Sequence, residues 1–123
     1  MATSTDKRVR FLELFGQLCA LALEHQIKFI VWTFDRSASE QNALYQRGRT
    51  QPGPIVTNCD GFIKMSEHQK WLAADLAVVK NGEWEWAEIP EYHDLGEYWE
   101  SLGGVWGKRF GDLNDIYHFG LEG

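Results

Sequence analysis

Four residues in two short runs carry side chains suited to metal-assisted hydrolysis. His68 and Asp75 lie in "SEHQKWLAAD" (Ser66 to Asp75), and Asp115 and His118 lie in "DIYHF" (Asp115 to Phe119). Two imidazoles and a carboxylate make three ligands, the number a catalytic zinc ion takes from protein while keeping a fourth position for water. A further carboxylate beside such an ion can act as general base, as in the H-E-x-x-H motif. The spacings set conditions on this reading. On a continuous helix, seven residues would place His68 and Asp75 on one face but about 10 Å apart. On a continuous strand, an odd spacing would put them on opposite faces. They can share an ion only if the chain turns between them. Asp115 and His118, three apart, come to one side if they lie on a helical turn.

Each of these residues also has an ordinary role open to it. A strand-end histidine is often structural or exposed, and Asp112, Asn114 and Asp115 could form a loop before a last strand. Spacing alone leaves both readings open. The other two histidines offer less: His25 closes a helix, where a cation suits the dipole, and His93 sits in a turn with acidic neighbours.

The elements that must position these residues follow from periodicity. Val9, Leu12, Phe15 or Gly16, Cys19 and Leu23 recur at three and four, and Phe11, Leu14, Leu18 and Leu21 widen the stripe, which predicts a core-facing helix of about five turns. "KFIVWTF" (Lys28 to Phe34) predicts a central strand. Ser37 and Glu40 have capping-box spacing, Leu44 and Tyr45 are expected to face inward, and Gly48 is a stop, so a second helix begins at Ser37. Pro52, Gly53, Pro54, Asn58 and Gly61 mark 49–64 as a long loop, a candidate substrate wall. "LAADLAVV" is a strand, Asn81-Gly82 a hairpin turn, and "GEWEWAE" its returning partner. "DLGEYWESLGG" (Asp94 to Gly104) predicts a short helix ended by Gly103 or Gly104, and "YHFGL" a last strand. The order points to an α+β fold, one small domain over 1–123 with an antiparallel sheet flanked by helices.

Bulk properties narrow the function. The 123 residues suit one domain, with 44% hydrophobic and 14% aromatic residues to fill a core. A net charge of −6 without a Lys/Arg cluster argues against nucleic acid. Cys19 and Cys59 form no CxxC; Cys19 reads as a buried small hydrophobe. The N-terminal basic-then-apolar stretch superficially suggests a signal peptide, but Glu13, Gln17 and Glu24 interrupt it, and an amphipathic helix is expected. No apolar run is long enough for membrane insertion.

"SEHQKWLAAD" resembles the S-x-H-x-x-G-x-A-x-D signature of the zinc D-alanyl-D-alanine carboxypeptidases and their VanY-like relatives, and "DIYHF" resembles the downstream D/E-x-x-H signature. "FDRSASEQNALYQRGRTQPGPIVT" and "LGGVWGKRFGDLNDIYHF" look like tracts of the phage L-alanyl-D-glutamate endolysin branch, so the likeness runs from about Phe29 to Leu121. The resemblance implies Zn2+ held by His68, Asp75 and His118, with Asp115 as catalytic base. It implies Arg36 at the substrate carbonyl or tetrahedral intermediate, and Ser66 in contact with substrate. It implies a hedgehog/DD-peptidase-like fold in which the chain turns between the first ligand histidine and the aspartate.

The implied activity is hydrolysis of peptidoglycan stem peptides, most like an L-alanyl-D-glutamate endopeptidase. The alternatives are a D-alanyl-D-alanine carboxypeptidase or dipeptidase, a catalytically idle zinc-binding module, and a metal-free interaction domain. The expected protein is a monomer without a separate wall-binding domain, held in the cytoplasm until lysis opens the way to the wall. Two departures from the family pattern stand out. Trp71 occupies the signature glycine position, which reshapes a turn and could bring an aromatic near the cleft, and Lys108 replaces the second glycine of W-G-G. Trp32, Trp84, Trp86, Trp99 and Trp106 invite a sugar-stacking reading, but tryptophans at strand and helix positions are expected in the core.

Overall fold

The computed structural model describes residues 2–122. Helix α1 (Ser4–Glu24) starts at a capping box in which Thr3 and Asp6 satisfy each other's backbone N–H groups. Its buried residues are Phe11, Leu14, Leu18 and Ala22, a narrower stripe than the sequence suggests. Val9, Leu12 and Leu23 are exposed, as is Cys19, which is therefore not a core residue. Both stripes have helical spacing. The one richer in large side chains meets the sheet and the third helix.

β1 (Lys28–Thr33), β2 (Ala73–Lys80), β3 (Glu83–Glu85), β4 (Val105–Trp106) and β5 (His118–Gly120) form one antiparallel sheet in the order β1-β2-β5-β4. β3 pairs with β2 at Val78–Lys80, further along the edge that β5 uses at Ala73–Asp75. β1 is thus an edge strand and not the central one. The central strand is β2, buried from Ala73 through Val78, and it is the more uniformly aliphatic of the two. Asn81 and Gly82, both at positive φ, make the tight turn into β3 that their sequence predicts.

Helix α2 (Ala38–Gln46) is capped by Ser37 and Glu40 as its spacing predicts. Leu44 and Tyr45 are only partly buried, and the fully buried residue of α2 is polar, Gln41. Helix α3 (Pro90–Ser101) begins four residues before the sequence expectation because Pro90 fits the first turn. His93 therefore sits in this helix and not in a turn.

β2 sorts its side chains by alternation. Ala74, Leu76 and Val78 join α1 and α3 in the core, and Asp75 points to the opposite face. Two buried indoles lock the neighbouring strand. Trp99 donates to the Gly120 carbonyl and Trp106 to the Ile116 carbonyl, each at 2.9 Å, on either side of His118. Trp106 lies flat against α3 at Gly96, where an added Cβ would fall 2.1 Å from the ring. Gly96→Ala is expected to destabilise the protein by about 2–3 kcal/mol through overpacking. Denaturant unfolding would show it, and an unchanged midpoint would mean that Trp106 is not clamped here.

Candidate metal centre

The turn required between His68 and Asp75 is present. A single 3₁₀ turn (Glu67–Lys70) carries His68 and ends at Trp71, which has φ 62 and ψ 36, a left-handed conformation. β2 then starts at Ala73, and its third residue is Asp75. Trp71 takes up the backbone shape for which the family uses glycine. Its indole points away from the cleft and lies under the Arg8 guanidinium, 4.9 Å from the ring centroid, while Arg8 Nε donates to the Lys70 carbonyl. An N-terminal helix thus braces a turn that is strained by about 1–2 kcal/mol.

Opposite, residues 115–117 form a turn closed by the His118 N–H to the Asp115 carbonyl, 3.2 Å. β5 then pairs with β2 so that His118 stands directly across from Asp75. His68, Asp75 and His118 are all buried, and their ligand atoms lie within 4.8 Å of one another. His68 Nε2 is 3.2 Å and His118 Nδ1 3.9 Å from Asp75 Oδ1. Ligands about 2 Å from a tetrahedral ion sit about 3.3 Å from each other, so the trio fits a divalent metal with little movement.

The outward nitrogens decide the tautomers. His68 Nδ1 is 2.8 Å from the Phe34 carbonyl, which can only accept, so Nδ1 carries the proton and Nε2 keeps its lone pair toward Asp75. His118 Nε2 is 2.8 Å from a Glu67 carboxylate oxygen, which leaves Nδ1 as the free lone pair. Both rings are set to bind metal through the nitrogen that faces the third ligand. Sequence reasoning assigned no role at the site to Glu67 or to the Phe34 carbonyl. Glu67 is adjacent to a ligand in a 3₁₀ turn, but its partner lies 51 residues away. Gly120 leaves room for that pair, since a Cβ there would come within 2.9 Å of both Glu67 Oε1 and His118 Nε2.

Asp115, Arg36 and Ser66 line the same cleft, which has a volume of about 1220 Å³. Asp115 is partly buried, and desolvation, followed by the nearby Asp75 carboxylate, raises its carboxyl above the ordinary aspartate value. Arg36 donates from Nη1 to Gln41 Oε1 at 2.7 Å and reaches Asp75 Oδ2 with Nη2 at 3.4 Å. Ser66 accepts from the His68 N–H and so caps the 3₁₀ turn, with Gln69 completing a capping box that the sequence reading overlooked. His25 and His93 lie outside the trio. His25 caps α1, and His93 meets Glu88 at 2.8 Å and packs on Trp106.

The loop after α2 supplies one wall of the cleft through residues 55–59 and 64–66. Gln41 holds it, donating to Thr57 Oγ1 and the Cys59 carbonyl while accepting from Arg36. This buried amide couples the wall to the arginine, a role that no sequence signal singled out. Asp60 pins the next turn by accepting from the N–H groups of Phe62, Ile63 and Lys64. Lys108, where the family pattern has glycine, pairs with Glu88 at 2.7 Å; Lys108, His93 and Asn114 together hold the Glu88 carboxyl at about 2. The glycine that matters is its neighbour Gly107, where a Cβ would strike the Asp115 carbonyl at 2.1 Å.

Known proteins resemble this chain in sequence and in fold. Residues 61–121 match the D-alanyl-D-alanine carboxypeptidase model of the M15 peptidases. That segment is 61 of the 123 residues and holds His68, Asp75, Asp115 and His118, and over it the chain is similar to this family. Over 111 residues it is 36% identical to the peptidoglycan L-alanyl-D-glutamate endopeptidase CwlK of Bacillus subtilis (strain 168), an alignment covering 77% of this chain and 63% of that protein. The chain therefore spans somewhat less than two thirds of that relative's length. The crystal structure of the Serratia marcescens L-Ala D-Glu endopeptidase ChiX superposes with a TM-score of 0.61 at 23% identity, covering 89% of this chain and 78% of that one. That likeness is one of fold, and it supports the α+β architecture.

Two outcomes check the centre. Glu67→Gln, which weakens the hold on His118, is expected to lower metal affinity about 10–100-fold in a competitive chelator titration while the fold stays intact. Trp71→Gly is expected to be more stable than Trp71→Ala by about 1 kcal/mol, the reverse of the usual order, because both lose the indole and only glycine relieves the left-handed backbone. Equal unfolding midpoints for the two variants would show that the turn is not strained.

Proposed function

We propose that this chain is a zinc-dependent peptidase that hydrolyses peptidoglycan stem peptides at the L-alanyl-D-glutamate bond. The observation that carries the reading is the buried His68–Asp75–His118 trio, with both tautomers set, opening onto a cleft that also holds Asp115 and Arg36. The family match and the activity named for the Bacillus relative support the substrate class. Two imidazoles and one carboxylate are a donor set that suits zinc and leaves a coordination position open.

When bound, the ion supplies Lewis acidity and acidifies the water it holds. The remaining work falls to this chain's side chains. Asp115, partly withdrawn from solvent, favours the protonated state more than an ordinary aspartate, which suits a group that accepts the water's proton and then delivers it to the leaving amine. The Arg36 guanidinium lies largely out of solvent, so it can stabilise negative charge on the substrate carbonyl oxygen. The Gln41 bond keeps that guanidinium from swinging out. Ser66, buried in the cleft lining, caps the turn that carries His68. As part of the same proposal, the enzyme acts as a monomer of endolysin type that meets the wall during lysis.

Mass spectrometry of purified peptidoglycan after incubation with the zinc-loaded protein tests this directly. New amino termini on D-glutamate are expected, and Asp115→Ala should abolish them while still binding metal. Release of free D-alanine instead would assign the carboxypeptidase activity. No product from several wall types, with metal bound, would overturn the peptidase reading.

A further inference from the structure

The five tryptophans assigned to the core by sequence divide into two groups. Trp99 and Trp106 are fully buried, whereas Trp32, Trp84 and Trp86 are 41%, 49% and 48% exposed. Trp86 joins the exposed three. Trp86 lies 5.8 Å from Trp32 and 5.6 Å from Trp84, centroid to centroid, and 5.3 Å from Tyr117. Tyr117 stands between Asp115 and the ligand His118, and its phenol donates to the Trp86 carbonyl. Trp32 and Tyr117 both line the metal cleft. The result is an aromatic ladder that starts at the catalytic turn and runs out along β1 and β3.

The backbone around Trp32 is built to add it to this ladder. Val31 pairs with Leu76 and Thr33 with Asp75, so Trp32 is the extra residue of a β-bulge beside the ligand aspartate. Bulges re-aim a side chain and recur next to active sites. Three contacting, half-exposed indoles are more apolar surface than packing of a short hairpin requires, and a patch of this kind marks a binding site.

We propose that Trp32, Trp84, Trp86 and Tyr117 form a platform for the saccharide rings of the glycan strand, which stays bound while the stem peptide occupies the cleft. This rests on the peptidase reading above. In peptidoglycan the stem peptide joins the sugar through its first residue, L-alanine. Cleavage at L-alanyl-D-glutamate therefore brings a pyranose within one residue of the metal, where the ladder begins. The apolar C–H face of a pyranose stacks on an indole, while its hydroxyls can stay in water. A chain of net charge −6 suits a neutral polyhydroxylated ligand better than an anionic lipid surface or nucleic acid.

The experiment compares two substrates that differ only in the sugar, a disaccharide-linked stem peptide and the same peptide acetylated at L-alanine. The zinc-loaded protein is expected to favour the glycosylated form in kcat/KM. Trp84→Ala is expected to reduce that preference about ten-fold through KM, and Trp84→Tyr, which restores an aromatic face, to recover most of it. A separate arm titrates glycan chains stripped of peptide into the protein and its Asp115→Ala variant. The chains should alter tryptophan fluorescence in both, and Trp84→Ala should weaken their binding. Equal kcat/KM for the two substrates with no glycan binding would overturn the platform even if the peptide is cut. Glycan binding that depends on Trp84, without cleavage of either substrate, would keep the platform and remove the peptidase reading. Equal losses on both substrates in Trp84→Ala would make the ladder a packing feature only.

Discussion

The pairing of β2 with β5 is the constraint on which the rest of this molecule depends. It places Asp75 directly across from His118, and the same ladder sets Ala74 against Phe119 in the core. A slip of β5 by one residue would turn His118 into the apolar layer and Phe119 into the cleft. Register is therefore fixed by burial on one face, and on the other it brings His68, Asp75 and His118 together. Trp99 and Trp106 secure it further by donating to carbonyls on either side of His118, so the largest core side chains also fix one member of the trio.

Around the trio, each side chain is oriented by a group from a different part of the chain. The carbonyl of Phe34, just after β1, sets His68; Glu67, from the turn before β2, sets His118; and Arg36, from the start of the α2 region, touches Asp75. Arg36 in turn is held by Gln41, and Gln41 holds the cleft wall at Thr57 and Cys59. The site and its wall form one hydrogen-bonded unit, so a disturbance in the long loop would be felt at the arginine. Such buried polar chains are stable only when every member is satisfied, and among the described residues no buried side-chain nitrogen or oxygen lacks a partner.

Much of this was legible in the sequence because the informative features were local. The capping box at Ser37, the Asn81-Gly82 turn, the loop after α2 and the two signature runs all act over a few residues, and all appear where expected. The errors came where a choice depended on tertiary context. Two apolar stripes on α1 were equally periodic, and only the sheet decides which is buried. β1 is rich in β-branched and aromatic residues yet lies at an edge, because its outward side chains include the exposed Val31 and Trp32. Glu67 and Gln41 act through partners that are distant in sequence or within an irregular loop, so no periodicity could mark them. Trp71 shows the reverse: the motif demanded a left-handed residue, and the fold keeps that shape with a tryptophan braced by α1.

The central claim is that His68, Asp75 and His118 converge on one ion, with the histidines binding through Nε2 and Nδ1 respectively. X-ray absorption at the zinc edge of the stoichiometrically loaded protein measures this most directly. The account predicts a four-coordinate shell of nitrogen and oxygen at about 2.0 Å, with multiple-scattering features from two imidazoles, one of which disappears in His118→Ala. A six-coordinate, all-oxygen shell without imidazole scattering would contradict it, and would show that the pairing of β2 with β5 does not build a metal site.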